Sequence, residues 1–228
     1  MTHTTLLSRL KAVGIDPSLF TAEELAAIAQ SADAEYLHAP PLHRQAIPAP
    51  DSAELLLGEI RSAAQHCLNA VSGHLLGAWE SQKQAATIAA EKIGREFPTY
   101  LSAATDFLAR AEKRRTALMG AIDHVQNNAR ELVCLHSAAR IIRKDSAADT
   151  LRQALGQCEA MEHEYTDALC ALDVGMQALS SIVEADIPAL LDTAAPLFNE
   201  TDGRAFSPAA FRAAALHLRD ICSNNILC

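Results

Sequence analysis

The chain has 228 residues, of which 50% are hydrophobic and only 4% aromatic, and its formal net charge at pH 7 is −9. The hydrophobic fraction excludes wholesale disorder, and the scarcity of aromatic residues predicts a core built mainly from Ala and Leu. The excess of acidic residues disfavours non-specific nucleic-acid binding and attraction to anionic lipid as main roles.

Residues 1–38 are predicted to form a small helical N-terminal unit. A first short helix begins at about Thr5 and ends at Gly14. Thr21 and Glu24 then have the spacing of a capping box, in which the threonine hydroxyl accepts a hydrogen bond from the Glu24 N–H and the Glu24 carboxylate accepts one from the Thr21 N–H. The box predicts that a second helix begins directly after Thr21.

Residues 39–50 are rich in proline and separate this unit from the rest of the chain. Proline fixes φ and lacks an N–H donor, so we interpret the segment as an extended linker. Residues 51–228 then form the second predicted domain, a bundle of long helices.

The first long helix of the bundle is predicted from Asp51 to Phe97, because no helix breaker occurs before Pro98. It would be about 65–70 Å long at 1.5 Å per residue. Apolar or small residues recur along one of its faces. They are Leu57, Ile60, Ala64, Cys67, Val71, Leu75, Ala78, Ala86, Ala89, Ile93 and Phe97. Four glycines interrupt this helix and either permit close packing or mark hinges.

A second long helix is predicted from about Thr99 to Lys144, with an apolar face of its own. Pro98 either separates two antiparallel helices or kinks a single long one. We favour the separation, because the residue before a proline is pushed away from the helical region.

The third long helix, from Asp145 or Ser146 to about Glu184, has the most regular pattern of the chain. Apolar residues follow one another at alternating steps of four and three, the heptad repeat of a coiled coil. The ten positions of this seam are Leu151, Leu155, Cys158, Glu162, Tyr165, Leu169, Leu172, Met176, Leu179 and Val183. The helix is predicted to stop at Asp186, where a short helix opens, and Ser207 with Pro208 is predicted to open the last one.

Long helices joined by short connections bury their apolar faces only by lying side by side. The sequence therefore predicts an all-α fold: an elongated, coiled-coil-like antiparallel bundle of long helices with a small N-terminal helical appendage. No segment shows the alternation of apolar and polar residues that is typical of a strand.

Motifs that would indicate catalysis or a resident metal are absent from the sequence. Di-iron bundles need a Glu three residues before a His on two helices, and none of the histidines in the predicted helices has an acidic residue there. Glu159 and His163 lie one turn apart, but two ligands make only a weak site. Phosphate-binding loops, the zinc-protease motif and the nucleophile elbow are also missing. We therefore expect a non-enzymatic protein without cofactor or metal.

Glu162 and His136 are polar residues on otherwise apolar faces. Glu162 occupies a seam position of the third long helix, and His136 lies on the apolar face of the helix before it. A buried polar pair of this kind fixes helix register at a cost in stability. We interpret the two as candidates for a polar register pair, alone or with His66 or His74, and not as catalytic groups.

Residues 62–79 contain no charged side chain and include the single tryptophan of the chain. The segment is too polar for a lone membrane span, whereas its small residues suit close helix packing. A helix buried on several sides explains this composition. The alternative is a segment that contacts another subunit or rearranges at a membrane, and the candidate contact residues are then Val71, Leu75, Leu76 and Trp79.

The first residues of the chain lack the continuous apolar run of a secretory signal, and no stretch of 18 consecutive apolar residues predicts a membrane span. The six cysteines are scattered and form no C-x-x-C pair, which indicates reduced thiols. We expect a cytoplasmic protein, or one exported without a cleavable signal peptide.

These features favour a non-enzymatic helical scaffold that acts through protein–protein contacts, with a protein partner or a second copy of itself. A first alternative is the soluble component of a membrane-active, pore-forming-type assembly of helical bundles, which would engage a membrane only after rearrangement. A second is a metal- or ligand-binding bundle, which the histidine spacing disfavours. We expect no nucleic-acid partner.

Overall fold

A computed structural model describes residues 3–12, 16–31, 53–72, 79–141, 145–198 and 205–224. Within these ranges nearly every residue is helical and no strand occurs, so the predicted all-α helical bundle is confirmed. The α-helices of these ranges are α1 (His3–Ala12), α2 (Ala22–Ser31), α3 (Glu54–Val71), α4 (Trp79–Ile141), α5 (Asp145–Ser181), α6 (Ile187–Ala194) and α7 (Pro208–Asn224). The long helices α4 and α5 pack closely. Because only three residues separate them, they run antiparallel.

The chain divides into two compact units. Unit 1 consists of Met1–Pro48 and Arg115–Cys170, and unit 2 consists of Ala49–Arg114 and Ala171–Cys228. Helices α4 and α5 therefore contribute one part of their length to each unit. The predicted linker over 39–50 lies outside the described residues.

The predicted capping box at the start of α2, in unit 1, is confirmed. The Thr21 N–H donates to Glu24 Oε2 at 2.7 Å, and the Glu24 N–H donates to Thr21 Oγ1 at 3.4 Å. Just before it, Asp16 accepts a hydrogen bond from the Ser18 N–H at 2.9 Å and so caps the short 3-10 turn Pro17–Leu19. Two consecutive side-chain caps thus fix the path of the chain into α2.

The predicted extent of the first long helix is wrong. α3 ends at Val71, and Ser72 has the extended backbone conformation of φ −75° and ψ 118°. The Ser72 hydroxyl donates to the Leu68 carbonyl at 2.7 Å, and its N–H to the Asn69 carbonyl at 3.4 Å. Serine side chains compete in this way with the helical hydrogen bonds of the backbone. The first long helix therefore ends at Val71 and not at the boundary predicted before Pro98.

The predicted separation at Pro98 is also wrong, because Pro98 lies inside α4. A proline inside a helix removes one hydrogen bond to the carbonyl four residues earlier and costs about 3 kcal/mol. That carbonyl belongs to Gly94, and both Gly94 and Pro98 are exposed, so water can replace the lost donor. On the inner face, Ile93 and Tyr100 are buried on either side of the proline. Packing of this face keeps the helix continuous.

The predicted seam of α5 is the packed face of this helix. None of its ten positions is exposed, and Leu151, Cys158 and Leu179 are at most 1% exposed. The regular spacing of four and three in the sequence therefore identified the buried face correctly along the whole helix.

The predicted stop at Asp186 is wrong, because the helix continues through a π-helical segment, Ile182–Asp186, into α6. The Ile187 N–H donates to the Ile182 carbonyl, one residue further back than in an α-helix. Pro188 follows directly and has no N–H to offer to the preceding turn. The wider turn accommodates the proline without ending the helix.

Unit 2 is built around α7, which packs on α3, on α6 and on the π-helical segment. Phe211, Ala215 and Leu218 of α7 are completely buried. As predicted, Ser207 and Pro208 open this helix, and Ser207 Oγ accepts a hydrogen bond from the Ala210 N–H at 3.3 Å.

Candidate functional site

Glu162 is half-buried within unit 1 and has a partner on the facing helix. Gln126 Nε2 of α4 donates to Glu162 Oε1 of α5 at 2.7 Å. A hydrogen bond to a carboxylate is stronger than one between neutral groups, and this one joins two helices. The predicted role of Glu162 in fixing helix register is therefore compatible with its position, although Gln126 and not a histidine is its partner.

His136 lies on the same helix as Gln126 but ten residues further along, or about 15 Å at 1.5 Å per residue. The structure therefore does not bring His136 and Glu162 together. His136 Nε2 is buried and has no hydrogen-bond partner among the described residues. Of the two other histidines considered for this pair, His66 is exposed on α3, and His74 lies outside the described residues.

A second polar group in unit 1 was not predicted from the sequence. Asn128 and Glu131 are 1% and 3% exposed, and Asn128 Nδ2 lies 3.2 Å from His124 Nε2. His124, Asn128 and Glu131 follow one another at steps of four and three, between buried Ala121 and Leu135. This spacing was visible in the sequence and could have predicted the polar group, because it gives α4 a second buried face beside the one that contains Val125 and Leu132.

The four candidate contact residues differ in burial and in whether the structure describes them. Val71 is only 7% exposed at the end of α3, so the structure does not present it to a partner. Leu75 and Leu76 lie outside the described residues. Trp79, at the start of α4, is 47% exposed, and its ring centroid lies 6.4 Å from that of Phe206. Lys83 Nζ covers the ring at 5.3 Å from the centroid, which leaves Trp79 half accessible within unit 2.

Three titratable residues, Asp186, His217 and Cys222, lie in or near the π-helical segment in unit 2. His217 Nε2 lies 3.5 Å from Asp186 Oδ1, and the Ser181 hydroxyl donates to Asp186 Oδ2 at 3.4 Å. Burial, and to a lesser degree the negative charge of Asp186, raises the pKa of Cys222 to about 12. This thiol therefore stays protonated at neutral pH, and the thiolate is the nucleophilic form.

More of the exposed large apolar side chains lie in unit 2 than in unit 1. Seven of the ten in the described part of the chain belong to it: Leu55, Trp79, Ile88, Leu101, Val174, Phe198 and Leu216. Leu55, Val174 and Ile88 are the most exposed, at 78%, 64% and 61%. Each lies two positions from a buried residue of its own helix, and two positions in an α-helix turn a side chain by about 200°. These three side chains therefore point outward.

The described residues contain no group of three or more His, Cys, Asp and Glu residues arranged to hold a metal ion. His163, one turn after Glu159, lies 3.5 Å from the Asp167 carboxylate.

One helical stretch, Ala147–Leu197, is long and apolar enough to cross a membrane by length and composition alone. Its most apolar window has a mean hydropathy of 1.3, and 28% of that window is buried; a core helix of a soluble protein passes the same test.

No family model, no curated protein and no solved structure matches this chain.

Proposed function

We propose that the protein is a non-enzymatic helical scaffold that acts through protein–protein contacts made by unit 2. The supporting observation is that more of the exposed large apolar side chains lie in that unit than in unit 1. Exposed apolar residues scattered singly are ordinary on soluble proteins, but their accumulation in one region is typical of a contact surface.

The distribution of polar groups supports the same proposal. Asp186, His217 and Cys222 bring an acid, a base and a thiol into one region, but burial keeps the thiol protonated. Exposed Leu55, Ile88 and Val174 are attached to helices whose opposite faces are buried, so their backbones are held in place without a partner. A surface that is held in place in this way binds with little loss of conformational entropy.

Site-specific photo-crosslinking tests the proposal. A photoreactive amino acid replaces Ile88 or Val174 in unit 2, and Val133 in unit 1 serves as the matched control because it is also exposed, at 48%. We expect discrete adducts from positions 88 and 174 and none from position 133. An adduct of twice the mass of the chain identifies self-association, and light scattering after size exclusion checks it. The same weak, unspecific adducts at all three positions contradict the proposal.

A membrane-active role is the second candidate, and the apolar character of Ala147–Leu197 is the observation that favours it. Leakage of an encapsulated dye from liposomes, measured from about pH 5 to pH 8, tests this role. We expect no leakage if unit 2 acts through protein contacts. Leakage that the Val174→Lys substitution abolishes, while Val133→Lys preserves it, favours membrane insertion of this helix instead.

A further inference from the structure

A polar cavity of about 360 Å³ opens between α3 and α4 within unit 2. The residues that line it are Glu59, Ser62 and Ala63 from α3 and Lys92, Glu96, Thr99 and Tyr100 from α4. The α3 wall has the small side chains Ser62 and Ala63, and exposed Glu59, Ser62, Lys92 and Thr99 border the opening to solvent. This volume lies at the lower end of the range of small-molecule sites, about 300–1,000 Å³.

The two carboxylates of the cavity come from opposite walls, Glu59 from α3 and Glu96 from α4, and Glu96 accepts a hydrogen bond from the hydroxyl of Tyr100. This side chain is 5% exposed, and its hydroxyl donates to Glu96 Oε2 at 2.6 Å. Burial, this hydrogen bond and the negative charges of Glu96 and Glu59 raise the pKa of Tyr100 well above its ordinary value. Tyr100 therefore stays a neutral donor that fixes one oxygen of Glu96 and leaves the other free to accept a hydrogen bond.

Lys92 adds a positive charge to the same cavity. It lies one turn before Glu96 on the α4 wall. Neither Lys92 nor Glu59 makes a hydrogen bond or an ion pair with any residue that the structure describes. The cavity thus contains two carboxylates and one ammonium group, which suit a ligand that carries both a positive and a negative charge.

We propose that this cavity binds a small zwitterion of the α-amino-acid class. The ammonium group of the ligand lies between Glu59 and Glu96, and its carboxylate binds Lys92 Nζ. The hydroxyls of Ser62 and Thr99 supply further donors and acceptors on opposite walls. Leu55 and Ile88 lie one turn before Glu59 and Lys92 on the same helices, but none of the exposed apolar side chains lines the cavity, so either proposal can fail alone.

Amide chemical shifts of the full chain, titrated with L-leucine, test the proposal. Two matched probes each lack one charge: isoamylamine is leucine without its carboxylate, and 4-methylpentanoic acid is leucine without its amine. We expect saturable shifts for leucine at residues 59–63 and 92–100. Each single-charge probe should bind at least about tenfold more weakly, the loss expected for a missing charge-assisted hydrogen bond.

Two substitutions show whether the cavity itself is the site. Glu59→Gln should weaken leucine binding about tenfold, and Lys92→Met should remove the preference for leucine over isoamylamine. Glu91→Gln and Lys113→Met are the controls, because both residues are exposed on α4 and do not line the cavity. Their amide spectra should match that of the wild type, and their affinities should be unchanged.

Three results overturn the proposal. The first is the absence of saturable shifts up to the solubility limit of leucine. The second is equal affinity for leucine and isoamylamine, which identifies a site for a cation alone. The third is an Lys92→Met variant that is folded and still prefers leucine, which shows that the carboxylate is not bound by Lys92.

Discussion

Units 1 and 2 share the helices α4 and α5 but distribute polar and apolar side chains in opposite ways. In unit 1, polar groups are buried: Asn128 and Glu131 are almost inaccessible, and Asn128 Oδ1, His136 Nε2 and the Tyr165 hydroxyl have no hydrogen-bond partner among the described residues. In unit 2, large apolar side chains are exposed. The same two helices thus contribute buried polar groups to unit 1 and exposed large apolar side chains to unit 2.

The largest expected change in the free energy of unfolding concerns the core of unit 2. If the exposed apolar residues form a contact surface, this core must be well packed; if unit 2 is loosely folded, it is not. Phe211 is completely buried, and Phe198 is 49% exposed. We expect Phe211→Ala to lower the free energy of unfolding by about 3–5 kcal/mol because it leaves a cavity. Urea denaturation measures this loss. Phe198→Ala is the control, and equal losses for both variants would contradict a close-packed unit 2.

Alkaline pH should weaken unit 2 through its buried thiols. Burial raises the pKa of Cys67 and Cys222 to about 12, from an ordinary value of 9.0. The stability that protonated thiols contribute is fully present below pH 9 and is lost as the pH rises towards 12. One such thiol should account for about 2 kcal/mol of the loss between pH 8 and pH 10.5.

Urea denaturation at these two pH values, with wild type and Cys222→Ala, measures this loss. The variant should lose less stability than the wild type between the two pH values. Cys170 is exposed, so Cys170→Ala should follow the wild type. A pH dependence that Cys222→Ala leaves unchanged would show that the thiol does not titrate in this range.

A pair of tyrosines compares the two units directly. Tyr165 of unit 1 has a buried hydroxyl without a partner among the described residues, whereas the Tyr100 hydroxyl of unit 2 donates to Glu96 at 2.6 Å. We expect Tyr165→Phe to raise the free energy of unfolding by about 1 kcal/mol and Tyr100→Phe to lower it by a similar amount. Chemical denaturation measures both changes in the free energy of unfolding, and opposite signs support this difference between the units. A loss of stability in both variants contradicts it.

The smallest expected effect is at the exposed apolar positions themselves. Ile88→Lys and Val174→Lys should change the free energy of unfolding by less than about 0.5 kcal/mol, because neither side chain is packed against the core. Thermal unfolding followed by circular dichroism measures this. A larger loss would mean that these residues are structural, and it would remove the main support for a contact surface in unit 2.

The sequence predicted those parts of the fold that depend on local periodicity and on hydrogen bonds close in the chain. The seam of α5 could be found because a heptad repeat produces a continuous stripe. The capping box at Thr21 and the start of α7 at Ser207 could be found because each cap involves residues within one turn.

The sequence predicted a helix boundary at the wrong place where tertiary packing outweighs a local preference. Pro98 disfavours a helix by about 3 kcal/mol, but buried side chains on both sides of it keep α4 intact. Conversely, α3 ends before Ser72, where no proline marks a boundary. The Ser72 hydroxyl bonds to the Leu68 carbonyl, but Thr87 and Ser137 make the same kind of bond inside α4, so this bond alone was no stop signal. The preference of a single residue does not reveal which side chains surround it.

The candidate site residues were predictable only in part. Glu162 could be recognised as a polar residue in an apolar seam, but the register between α4 and α5, which gives it Gln126 as partner, is set by packing across the helices. Glu59 and Lys92 stand 33 positions apart in sequence, and only the pairing of α3 with α4 places them in one cavity.

The π-helical segment Ile182–Asp186 inserts one extra residue into an otherwise regular helix. The extra residue rotates everything after it by about 100° relative to the heptad frame. Ile187 and Ala194 are buried as a result, where the unshifted frame would have placed Asp186 and Thr193. Deleting a single residue from this segment would remove the need for the wider turn and let a regular α-helix keep Ile187 and Ala194 buried, so the π-helical turn and the extra residue compensate each other.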